Sequence, residues 1–124
     1  MPVERICACE GQTLDRLLQP AVMAILSKGP LHGYALVDRL KDSPLMKGTK
    51  PDGTGVYRLL ATLETQELVT HCLTDSELGP SKRVFELTDT GRKCLNTWIC
   101  TLEKYREEIG QLIQWMREAA DEGE

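Results

Sequence analysis

At 124 residues and 41% apolar content, the chain has the size of one domain with a small appendage. It has no apolar run long enough to cross a bilayer, and its charged N-terminal stretch lacks the apolar block of a signal peptide, so a cytoplasmic protein without a membrane partner is expected. The net charge of −4 conceals a division: Arg39, Lys41, Lys47, Lys50 and Arg58 stand against Asp42 and Asp52, and Lys82, Arg83, Arg92 and Lys93 against Glu86 and Asp89, whereas Glu103 to Glu124 holds seven acids and three bases. A net acidic protein still binds nucleic acid when its cations share one face, because phosphate neutralisation is local.

Residues 1–12 carry a proline, a glycine, Cys7 and Cys9 but few large apolar groups, and read as an arm. Thr13 suits the cap of a helical turn through Leu14, Leu17 and Leu18. Pro20 suits the start of a helix over Ala21 to Ser27, which Gly29-Pro30 ends. Leu31 makes a minimal strand. A second helix is expected from His32 to Lys41, with Leu36, Val37 and Leu40 on one face. Ser43 to Gly55 is a loop by composition, with two prolines, three glycines and two lysines.

Thr54 to Gln66 has Val56, Leu59, Leu60 and Leu63 at helical spacing and leaves Tyr57, Arg58, Ala61 and Thr62 on other faces. Val69 to Thr74 alternates Val69, His71 and Leu73 with Thr70, Cys72 and Thr74, a strand pattern. Asp75 to Ser81 is a turn, with Lys82 and Arg83 directly after it, and Val84 to Leu87 is the returning strand. Thr88 then caps a helix whose first turn holds Asp89. A basic turn that feeds a short strand running straight into a helix is how the wing of a winged-helix DNA-binding domain is built. The last helix runs from Asp89 to Ala120, with Asp121 to Glu124 fraying. Its residues Leu95, Trp98, Ile99, Leu102, Tyr105, Ile109, Leu112, Ile113 and Met116 step by three or four, a seam longer than a small domain needs for its own core. A second copy of the same helix is the simplest partner for it.

The fold class is therefore mainly α with a small β-hairpin (α+β). It divides into an arm over 1–12, a winged helix-turn-helix over 13–96, and a C-terminal dimerisation helix with an acidic tail over 97–124. Double-stranded DNA and a second copy are the expected partners. The DNA-binding candidates are Lys47, Lys50, Thr54, Tyr57, Arg58, Lys82 and Arg83. The interface candidates are Trp98, Leu102, Tyr105, Ile109, Leu112, Ile113 and Met116.

Three groups of residues, in order, resemble the PadR family of bacterial and archaeal transcriptional regulators. They are Leu31-His32-Gly33-Tyr34 with Leu36 and Leu40; Val56-Tyr57-Arg58 with Leu60, Leu63-Glu64 and Leu68-Val69; and Gly79-Pro80 with Lys82-Arg83, Phe85, Leu87-Thr88 and Gly91. The resemblance implies a dimeric winged helix-turn-helix repressor acting on a pseudo-palindromic operator, with Thr54 to Gln66 as the recognition helix. Some members of the family it resembles bind small planar aromatics at the dimer interface, which leaves an aromatic or hydrophobic effector open here. Trp98 and Trp115 lie in the apolar seam and read first as dimer packing, with an aromatic slot between two copies of Trp98 as the alternative. Three departures stand out: Glu67 replaces the usual glycine, so that turn is expected to differ; the stretch before Tyr57 is richer in glycine; and the C-terminal region reads as one short helix, as in the smaller subfamily.

The five cysteines follow no regular framework, so reduced thiols are expected and no cofactor is required. Cys7-Ala8-Cys9 is the one candidate for a metal or redox site, with a third thiolate from Cys72, Cys94 or Cys100. Such sites usually show two cysteine pairs or Cys-x-x-Cys spacing. Cys94 and Cys100 read as small apolar fillers, and His32, at a helix start, as a structural hydrogen-bonder. No catalytic arrangement stands out, which sets an enzyme aside. The alternatives kept are a winged-helix protein-interaction module and a thiol- or metal-responsive variant of the same regulator.

Overall fold

The computed structural model describes residues 17–44, 52–74 and 82–122. The elements run α1 (Leu18–Leu26), β1 (Leu31–His32), α2 (Gly33–Leu40), α3 (Gly53–Thr65), β2 (Val69–Thr74), β3 (Lys82–Leu87) and α4 (Asp89–Glu122). The cap proposed at Thr13 and the turn from Asp75 to Ser81 lie outside the described residues. The mainly helical α+β architecture is as expected, but the hairpin is the larger part of a three-stranded sheet. Strand β3 pairs antiparallel with β2 from Val69↔Leu87 to Thr74↔Lys82, and β1 adds to its other edge through Leu31↔Phe85 and His32↔Val84.

The core sits where three helices meet the base of this sheet. Helix α1 contributes Val22, Met23 and Leu26; α2 contributes Leu36, Val37 and Leu40; α3 contributes Val56, Leu60 and Leu63. Leu68, Val69, Phe85 and Leu87 close it from the sheet side. Phe85, the chain's single phenylalanine, is 1% exposed. Burying a side chain of that size contributes roughly 2–3 kcal/mol.

Several boundaries move for physical reasons. Helix α1 starts at Leu18, so Pro20 lies inside its first turn, where a missing N–H costs nothing. His32 is the N-cap of α2 and part of β1 instead of its first helical residue. Strand β3 begins at Lys82 instead of Val84, so Lys82 and Arg83 are themselves strand residues, opposite Thr74 and Leu73. Leu73 does not face the core as its alternation suggested: it is 62% exposed, because the hairpin at this register has passed beyond Phe85. Leu59 is half-buried at the margin of the core. Helix α4 is not short. Its 34 residues run unbroken through positions 96 and 97 to Glu122, so Asp121 is helical, and at 1.5 Å per residue it is about 51 Å long.

The junction between α3 and α4 is tied by hydrogen bonds from both sides. Helix α3 ends in a Schellman turn: the Leu68 N–H donates to the Leu63 carbonyl (2.9 Å) and the Glu67 N–H to the Glu64 carbonyl (2.9 Å), with Leu63 and Leu68 both buried. The turn needs a left-handed residue, and Glu67 supplies it with φ 62°. The substituted glycine therefore leaves the left-handed turn in place. Thr88 clamps it from the other side. Its Oγ1 donates to the Glu67 carbonyl (2.7 Å), its N–H donates to the Leu68 carbonyl (3.0 Å), and Oγ1 also accepts the Gly91 N–H (2.9 Å) as the cap of α4. Glu67→Gly is expected to raise stability by about 0.5–1 kcal/mol, the left-handed strain relieved less the extra chain entropy of glycine. A urea midpoint no higher than that of the wild type would contradict this.

Candidate nucleic-acid interface

Helix α3 forms despite Gly53 and Gly55 in its first turn. Asp52 caps it, its carboxylate accepting the Thr54 N–H at 3.2 Å, and Val56, Leu60 and Leu63 bury its inner face. The opposite stripe is solvent-facing along its whole length: Thr54, Tyr57, Arg58, Ala61, Thr62 and Thr65 are all exposed. The Thr62 and Thr65 hydroxyls donate back to the Arg58 and Ala61 carbonyls (3.2 and 3.1 Å). Tyr57 and Arg58 are thus the long polar side chains of the stripe. The far end of α3 is tied to the sheet: Glu64 pairs with Nδ1 of His71, whose ring tilts against Phe85 at 5.5 Å.

The wing strand meets α3 and the start of α2 at one recess. Gly33, Tyr34, Tyr57, Lys82 and Arg83 line a hollow of about 300 Å³. The Tyr57 phenol fills the space beside Gly33: a Cβ there would stand 2.5 Å from the Tyr57 Oη and Cε1, so a larger residue would displace the ring. Lys82 Nζ lies over the Tyr34 ring, 5.1 Å from its centroid. Among the described residues neither Lys82 nor Arg83 makes an ion pair.

The structure therefore brings Tyr57, Lys82 and Arg83 together and sets Thr54 and Arg58 beside them on α3. Lys47, Lys50, Cys7 and Cys9 lie outside the described residues. Tyr34, 57% exposed, was not among the candidates. Its exposure is legible, because it falls off the Leu36-Val37-Leu40 face, but its pairing with Lys82 is not. Among the described residues the His32 ring makes no structural hydrogen bond. Its Nδ1 is buried without a partner, and the ring stacks on Tyr34 at 5.4 Å.

Along α4 the candidate interface residues separate into two groups. Leu95 and Trp98 pack against this chain's own core, so Trp98 is at least partly committed within the protomer, and Leu102 is half-buried. Tyr105, Ile109, Leu112, Ile113 and Met116 are exposed. Trp115, read as part of the seam, is 66% exposed and stands beside it. Cys94 packs on the core, but Cys100 is exposed and fills nothing. Among the described residues no three His, Cys, Asp or Glu side chains are placed to hold a metal, and no helix is long and apolar enough to cross a membrane.

The family model "Transcriptional regulator PadR-like family" matches residues 22–97, more than half of the chain. Among solved structures, a PadR-like transcription factor from Bacteroides fragilis is similar with a TM-score of 0.70 at 20% identity, over 86% of this chain and 99% of that one. A putative transcriptional regulator from Thermoplasma acidophilum is 28% identical with a TM-score of 0.69, over 82% of this chain and 94% of the other. Bacillus subtilis PadR in complex with operator DNA is 26% identical with a TM-score of 0.60, over 68% of this chain and 47% of that one. No curated protein sequence matches the chain significantly.

Proposed function

The chain belongs to the PadR-like family of transcriptional regulators, not to a class of enzymes, and we propose that it works as a cytoplasmic homodimer that binds a pseudo-palindromic operator and represses the gene it controls. The observation that carries this reading is the exposed stripe of α3, with Tyr57 and Arg58 flanked by Lys82 and Arg83, cations that have no ion pair among the described residues. The similarity to an operator-bound PadR supports it. Helix α3 would lie in the major groove, with Arg58 reaching a base edge or phosphate and Thr54 and the Tyr57 hydroxyl a phosphate. Lys82 and Arg83 would hold the flanking backbone. Two copies joined along α4 would place two such helices in successive major grooves, about 34 Å apart. An aromatic or hydrophobic effector seated along the α4 seam would act by altering that spacing.

The test is gel retardation of the DNA upstream of the chain's own gene. The wild type is expected to retard it at low salt, with affinity falling steeply as salt rises. Arg58→Ala is expected to weaken binding about 10- to 100-fold, the range of one lost bidentate base contact. No retardation at low salt would sink the reading and turn attention to protein docking on the same surface. Equal binding by Arg58→Ala would remove α3 as the reading helix.

A further inference from the structure

We infer that the recess between α2, α3 and β3 seats one phosphate group of the DNA backbone, and that Tyr34, which has no part in the contacts proposed above, is the positioning residue that aims Lys82 into it. The inference rests on the DNA-binding reading and gives it a specific anion site. The lining of the recess selects its occupant. Among the described residues it is lined by two cations and two phenols and by no carboxylate. Among the described residues neither phenol hydroxyl has a hydrogen-bond partner, and neither cation is paired. An apolar ligand would strand both charges, and a cation would be repelled. An oxyanion accepts from Lys82, Arg83 and the Tyr57 hydroxyl, while the Tyr34 ring supports Lys82. Tyr57 belongs both to the recess and to the exposed stripe of α3, so an anion seated there lies next to whatever α3 reads.

The seat is assembled before any ligand arrives. A lysine on a strand near a hairpin tip ordinarily samples many rotamers. Here the Tyr34 ring gathers Nζ at 5.1 Å. The ring is held in turn by His32, stacked on it with planes 14° apart. His32 belongs to β1, which pairs with β3, the strand that carries Lys82. Ring and ammonium are therefore referenced to the same sheet. Gly33 completes the arrangement, since a Cβ there would displace the Tyr57 ring from the start of α2.

The test compares salt-dependent binding of the upstream duplex by the full chain and by Lys82→Gln, Tyr34→Leu, Tyr34→Phe and the Lys82→Gln/Tyr34→Leu double variant. Lys82→Gln is expected to reduce the slope of log affinity against log salt by about one per protomer. Tyr34→Leu is expected to weaken binding about two- to fivefold when Lys82 is present, the range of one exposed cation–π contact, and to add nothing in the Lys82→Gln background. Tyr34→Phe, which keeps the ring, is expected to retain more affinity than Tyr34→Leu. An unchanged slope for Lys82→Gln, or an equal effect of Tyr34→Leu in both backgrounds, would overturn the proposal. If the wild type does not bind the duplex, the DNA reading itself has failed. Inorganic phosphate then separates the two failures by amide NMR: shifts at Gly33, Tyr34 and Arg83 that vanish in Lys82→Gln would identify a free-phosphate site, and their absence would overturn the seat altogether.

Discussion

Gly91→Ala is expected to destabilise the domain by about 3 kcal/mol or more, a large share of the roughly 5–15 kcal/mol that holds such a domain together. A Cβ at Gly91 would lie 2.1 Å from the Leu68 carbonyl oxygen and 2.7 Å from Leu87 Cδ1. Leu87 has other rotamers, but the carbonyl is backbone, and its position is already set by the Schellman turn and by the Thr88 N–H it accepts. Relief requires moving the whole start of α4, which breaks the Thr88 cap and lifts Leu95 and Trp98 from the core. Gly110 on the same helix is the control. Nothing lies within 4 Å of a Cβ there, so Gly110→Ala should stabilise by up to about 1 kcal/mol through helix propensity. Urea unfolding of both variants decides the matter. If Gly91→Ala unfolds within 0.5 kcal/mol of the wild type, on the order of an ordinary surface substitution, the close approach of α4 to the Leu68 turn is wrong.

The second large effect is expected at the opposite end of the same helix. Ile109→Glu with Leu112→Glu should leave a folded monomer that has lost operator binding about 10³-fold, down to the non-specific level. The seam positions Leu102, Tyr105, Ile109, Leu112 and Met116 alternate at spacings of three and four, and from Tyr105 onward they are exposed in the isolated chain. Among the described residues nothing covers Ile109 or Leu112, so the described domain loses no packing when they are replaced. Two copies would face four new carboxylates across an apolar seam, and burying an unpaired charge there is prohibitive. Without the second copy, each α3 reaches its half-site alone. Sedimentation measures the oligomeric state, circular dichroism the retained helix, and gel retardation the affinity. A variant that stays dimeric, or a monomer that binds the operator as tightly as the wild type, would refute dimerisation along this seam as the source of affinity.

Much of the fold was readable because its signals are local. Val56, Leu60 and Leu63 recur at helical spacing and do bury one face of α3. Thr88 was identifiable as a cap from its position before Asp89, and Val69 to Thr74 as a strand from its alternation. Of the candidate site, Tyr57, Arg58, Lys82 and Arg83 were legible as residues with no core role. The recess that joins three of them was not, because Gly33, Tyr34, Tyr57 and Lys82 come from three elements distant in sequence. Alternation also misplaced Leu73, since pattern gives the period of a strand but not how far the core reaches along it.

What the chain's residues settled by themselves was therefore the order of its elements, the buried faces of α2 and α3, the Thr88 cap, and the family to which it belongs. Each of these depends on groups only a few positions apart, where backbone geometry alone dictates who meets whom. Only the tertiary structure decided that β1 completes the sheet, that Glu67 bears the left-handed turn, that Gly91 cannot be anything larger, and that Tyr34 stands under Lys82. Those contacts bring distant segments within a few ångströms of each other. Close packing fixes them jointly, so no single stretch of residues carries the information alone.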